Sequence, residues 1–81
     1  MPTFHEIVVE TYYSNVREIA ELCELRDAVE HHYVECFAKC RSLDGMLALE
    51  LERSNELHRI DTRIGQLSKG SRKLLDQMEV V

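Results

Sequence analysis

From Leu57 to Met78 the positions Leu57, Ile60, Ile64, Leu67, Ser71, Leu74 and Met78 follow one another at steps of 3, 4, 3, 4, 3 and 4 residues. That alternation holds one stripe on one side of an α-helix, and it is the spacing of a coiled-coil or helical-bundle seam. The first half of the chain has the same rhythm. Phe4, Ile7, Val8, Tyr12, Val16, Ile19, Leu22, Leu25, Val29, Tyr33, Cys36, Phe37, Cys40 and Leu43 recur mostly at steps of three or four. Val9, Tyr13, Cys23 and Val34 widen that stripe. A stripe this wide predicts contact with more than one neighbouring helix. β-Branched residues are scattered and do not alternate, so strands have no support.

Local signals set the expected boundaries. Thr3-Phe4-His5-Glu6 has the form of a capping box, in which the Thr3 hydroxyl and the Glu6 carboxylate satisfy each other's amides, and helix 1 is predicted from about residue 3 to 42. Asn15 with Glu18 offers a second start, although a continuous helix is the preferred reading. Ser42-Leu43-Asp44-Gly45 is the clearest break. Asp-Gly is a turn signal, a left-handed Gly45 would end a helix, and Lys39 and Arg41 sit where cations suit a helix C-terminus. One unbroken helix through Gly45 is the alternative, because a single glycine costs only about 1 kcal/mol there. Helix 2 is predicted from about 46 to 78, with Ser68 to Ser71 its weakest stretch and Glu79 to Val81 a disordered tail.

The expected fold is all-α: a long antiparallel, coiled-coil-like helical hairpin in a single domain, assembling into a bundle of the four-helix type. Charge supports the antiparallel arrangement. Residues 18 to 30 carry Glu18, Glu21, Glu24, Asp27 and Glu30 against Arg26; residues 59 to 73 carry Arg59, Arg63, Lys69, Arg72 and Lys73 against Asp61. Folding near Gly45 sets these segments side by side, as would an antiparallel dimer of unbroken helices. The seam residues on which packing should depend are Ile19, Leu22, Leu25, Val29, Phe37 and Leu43 in helix 1, and Leu57, Ile60, Ile64, Leu67 and Leu74 in helix 2. Tyr12 and Tyr13 are adjacent and cannot both face one seam, so one of them is expected to be an exposed contact or to be buried by a second chain. Glu50 and Ser71 lie at or near the seam, where polar residues can fix register.

Composition narrows the function. A chain of 81 residues has a marginal core on its own, and domains of this size often lean on oligomerisation. Hydrophobic content of 44% is too high for a disordered tail, and no apolar run nears the ~20 residues of a membrane span. A net charge of −5 argues against nucleic acid and anionic lipid. Met1 to Glu6 lacks the basic region and apolar core of a secretory signal. Three cysteines inside helical pattern suit a reducing interior such as the cytoplasm.

Candidate chemistry is thin. His32, Cys36 and Cys40 share one helix face and could offer a metal three ligands, with His58 a fourth across a hairpin. No tight Cys-x-x-Cys knuckle accompanies them, and Cys36 and Cys40 also fit the apolar stripe, so core packing is the expected role and no cofactor is expected. The cysteines lie mid-helix or near a helix C-terminus among acids, which does not activate a thiol. No carboxylate pair or phosphate loop stands out, so no enzyme activity is expected. The expected function is a protein-protein interaction module: a coiled-coil oligomerisation or scaffold subunit, a homo-oligomer (dimer favoured) or a hetero-bundle with a helical partner. The alternative is a small acidic helical chaperone or regulator that masks an apolar segment of its client.

Overall fold

The computed structural model describes residues 3–79. Two helices account for nearly all of them, α1 (Phe4–Lys39) and α2 (Leu43–Glu79), and no strand occurs among the described residues. They fold back on each other as a helical hairpin with extents of 59 × 18 × 15 Å. That long dimension matches about 36 residues rising 1.5 Å each. The hairpin is therefore two helices wide and one helix thick, with a single seam between them.

α1 begins as its first residues dictate. Thr3 is extended, its hydroxyl accepts the Glu6 amide at 3.2 Å, and the Glu6 carboxylate accepts the Thr3 amide at 3.4 Å. Both halves of the capping box are thus closed. The helix runs unbroken through Asn15, and α2 runs unbroken through Ser68 to Ser71. Glu79 is the last residue of α2; the rest of the tail expected to be disordered, Val80 and Val81, lies outside the described residues.

The reversal falls earlier than the glycine suggests. α1 ends at Lys39, not near 42, and extended Cys40 closes it by donating its amide to Cys36 O at 3.0 Å and Phe37 O at 3.2 Å. α2 starts at Leu43, so Asp44 and Gly45 belong to its first turn, not to the connection. Ser42 is the reason. Its hydroxyl accepts the Gly45 amide at 3.0 Å and its carbonyl accepts the Met46 amide at 3.1 Å, which makes it an N-cap, while Asp44 complements the helix dipole. No described glycine has a positive φ. Gly45 is required for a different property, its missing side chain. A Cβ there would lie 2.7 Å from Cys40 Sγ and 2.8 Å from Ser42 Oγ. The turn is tight because nothing projects from position 45.

The glycines should therefore respond differently to alanine. At Gly70 a Cβ meets only Asn15 Nδ2, at an ordinary 3.8 Å. Gly70→Ala should raise stability by about 1 kcal/mol through helix propensity. Gly45→Ala should lower it by about 1 kcal/mol, since displacing Cys40 and weakening the Ser42 cap outweigh the same propensity gain. Urea unfolding followed by circular dichroism measures both; a stabilised Gly45→Ala would show that the turn is looser than described here.

Candidate functional site

Among the described residues the surfaces are the sides of two helices, and the seam between them shows what they can hold. α1 contributes the buried residues Val8 and Tyr33 to it; α2 contributes Leu57, Ile60, Leu67 and Ser71. Ile19, Leu22, Val29, Phe37, Ile64 and Leu74 are half-buried around them. No described side chain is entirely enclosed. Two expected seam residues are not in it. Leu25 is 50% exposed because it lies one position off the Leu22–Arg26–Val29 column that faces α2. Leu43 is 71% exposed because it is the first residue of α2, where the helix has just emerged from the turn. Val8 and Tyr33, which the list of key seam residues omits, were signalled by their steps to the half-buried Tyr12 and Val29.

Polar groups occupy the seam as well. Arg26 and Arg53 are both half-buried on the inner side of their helices. Arg26 Nε donates to Asp61 Oδ1 at 3.0 Å. Arg53 spans Glu30 at 2.7 Å and Glu50 at 3.1 Å, and Arg63 reaches Glu18 at 3.2 Å. Glu50 therefore sits at the rim as an acceptor for Arg53 and Ser54. Arg26 is the one cation of the acidic segment and Asp61 the one acid of the basic segment, and they meet each other. Exposed pairs of this kind add little stability each, but pairs spanning Glu18 to Arg63, Arg26 to Asp61 and Glu30 to Arg53 penalise any slipped register.

Tyr12 is half-buried and Tyr13 is 62% exposed, with their rings edge to face at 5.6 Å. One of the pair thus faces the seam and the other does not. His32 and Cys36 are neighbours, Sγ to Nε2 at 3.5 Å, but the Cys40 thiol turns away to Ser42 O at 3.5 Å. Among the described residues no group of three or more His, Cys, Asp or Glu could hold a metal ion, so the arrangement offered by His32, Cys36, Cys40 and His58 does not form. All three cysteines are free. No helix among the described residues is long and apolar enough to cross a membrane.

Two buried polar groups make stability predictions. The Ser71 hydroxyl is buried with no hydrogen-bond partner. Ser71→Ala should stabilise the protein by about 1 kcal/mol, since the desolvation cost disappears with the group; a loss of stability would mean the hydroxyl finds a partner in the assembled protein. Tyr33 is only 3% exposed, and burial first, then the Glu56 and Glu52 carboxylates, push its phenol above the ordinary 10.0. The unfolded chain then loses that proton before the folded one. The stabilising contribution is whole below pH 10.0 and is lost as pH rises from there towards the folded-state value. Tyr33→Phe should flatten the fall in urea midpoint as pH rises above 10.0, and an unchanged slope would show that other groups cause it.

With the surfaces described, comparison with known proteins adds no analogy: no family model, curated protein or solved structure matches this chain.

Proposed function

We propose that this chain is a non-enzymatic helix-pairing module, an oligomerisation or scaffold subunit whose activity is to pack its helices against another protein chain. One observation carries the reading: the hairpin covers only a small part of its own apolar surface. Among the described residues five apolar ones are buried, while eleven large ones stay exposed, from Phe4 and Ile7 at one end to Leu43, Leu47 and Leu51 at the other. A folded chain of this mass ordinarily leaves about 5,000 Å² accessible. This one leaves 6431 Å². The excess of roughly 1,400 Å² is close to one partner's share of an obligate interface. Scattered exposed apolar residues are ordinary, but clusters such as Leu43, Met46, Leu47 and Leu51 on successive turns of one helix mark a site of association. Three unpaired cysteines suit a reducing compartment such as the cytoplasm.

The test is molar mass by light scattering across a concentration series, with helical circular dichroism on the same samples. A defined helical oligomer that persists on dilution is the expected result. Ile60→Asp, which buries an unpaired charge in the seam, should abolish both helicity and assembly. A cooperatively folded monomer at micromolar concentration would overturn the reading. A chain that is poorly helical alone and gains helix only with a client would identify a chaperone of that client instead.

A further inference from the structure

Independently of what the hairpin pairs with, we propose that its open end is a pair of arms, residues 4–14 and 72–78, that parts as one unit while the rest of the seam stays closed. At the turn end the chain itself joins α1 to α2. At the open end only side chains can hold them together. Three ion pairs cross the seam, Glu30 to Arg53, Arg26 to Asp61 and Glu18 to Arg63. Glu18 is the outermost, and among the described residues no side-chain hydrogen bond or ion pair crosses the seam beyond it. Apolar burial is divided in the same way. Tyr33, Leu57, Ile60 and Leu67 lie on the turn side of the level set by Asn15 and Ser71, and Val8 is the one buried apolar residue beyond it among those described.

The boundary is the weakest level of the seam. Ser71 is 7% exposed and its hydroxyl has no hydrogen-bond partner. Such a group carries its desolvation cost while the seam is closed and regains water when it opens. Beside it, Gly70 faces the half-buried Asn15, whose Nδ2 would lie 3.8 Å from a Cβ at position 70. An amide set against a residue with no side chain buries little apolar surface, and glycine is a poor helix former. Past this level α2 has no basic residue in its last turn to complement the helix dipole. The two arms part together because neither holds its form alone: about ten residues released from a neighbour are too few to keep a helix in water. Val8, Tyr12, Leu74 and Met78 lie on the seam sides of the arms, buried or half-buried, so parting bares all four at once. They then join Phe4, Ile7, Tyr13 and Leu75, which are already 39% to 73% exposed at that end. The open end is thus a gate that sets how much apolar surface the molecule presents.

Native-state hydrogen exchange, followed amide by amide by NMR at low urea concentrations, tests the gate. Amides of both arms should exchange through one common opening with a shallow urea dependence, while those of residues 20–36 and 53–67 exchange only with global unfolding and its full dependence. Two variants separate this from ordinary fraying. Ser71→Ala, on α2, should raise protection about fivefold in the α1 arm as well as in its own. Ile60→Val, in the middle of the seam, should lower protection there several-fold and leave both arms unchanged. Independent fraying would leave residues 8–14 indifferent to Ser71→Ala, and that result overturns the proposal. Arm protection that falls with Ile60→Val also overturns it, since the hairpin would then open whole, as does a chain with no protected amides. Should either variant fail to fold, the native chain still decides: equal urea dependence in arms and middle overturns the proposal.

Discussion

Two helices packed side by side can each bury one stripe, and α1 has more than one. Everything else about this molecule follows from that mismatch. A hairpin one helix thick has no second layer, so whatever lies about 100° from the seam stays in water unless another chain covers it. The absence of any entirely enclosed side chain among the described residues is the direct expression of the same geometry. The seam is a contact line rather than a core. Burial at about 25 cal/mol per Å² along one line has to offset the ordering of both helices, and small domains solve this by sharing a core.

The seam is also more polar than its spacing announces. Arg26, Arg53 and Ser71 occupy positions that an apolar residue would fill more stably, and Asn15 lies opposite Gly70. The paired ones, Arg26 and Arg53, are poor contributors to stability and good contributors to uniqueness, because each is satisfied in one register only. Arg53 shows how: it reaches Glu30 across the seam and Glu50 on its own helix, and a slip of one turn would strand it. A seam of leucine and isoleucine alone would slide. The three ion pairs hold the helices in one alignment.

Most of this architecture was legible in the sequence, for identifiable reasons. The 3-4 steps from Leu57 to Met78 and the Thr3–Glu6 box are local signals read by local rules, and both appear as expected. The opposed charges of residues 18 to 30 and 59 to 73 forecast antiparallel neighbours, but not that the exceptional residues Arg26 and Asp61 would find each other. The turn lies about three residues before the one that Asp-Gly signals, because Ser42 caps α2 and draws Asp44 and Gly45 into its first turn. Sequence order alone does not tell which of two adjacent local signals wins. Leu25 and Leu43 were assigned to the seam because hydrophobicity was counted without fixing the phase of the stripe, and only the phase separates Leu22 from Leu25. For His32, Cys36 and Cys40, i, i+4 spacing puts residues on one face but does not aim their side chains, and Cys40 lies beyond the last helical residue with its thiol turned to Ser42 O.

Because the seam is thin, pairing of α1 with α2 and pairing of the hairpin with a partner chain would not be independent steps. A partner that covers exposed residues such as Tyr13 and Val16 would bind the folded hairpin and not the unfolded chain, so mass action would transfer its binding energy to the hairpin. Under the proposed association, folding and pairing would form one equilibrium, and stability would rise with protein concentration. The Thr3 box and the Ser42 cap fix the helix ends without help from any neighbouring chain. A chain built this way is suited to work as an assembly element. It specifies its own helices and its own register, and leaves large apolar side chains such as Tyr13, Val34, Leu47 and Leu51 exposed.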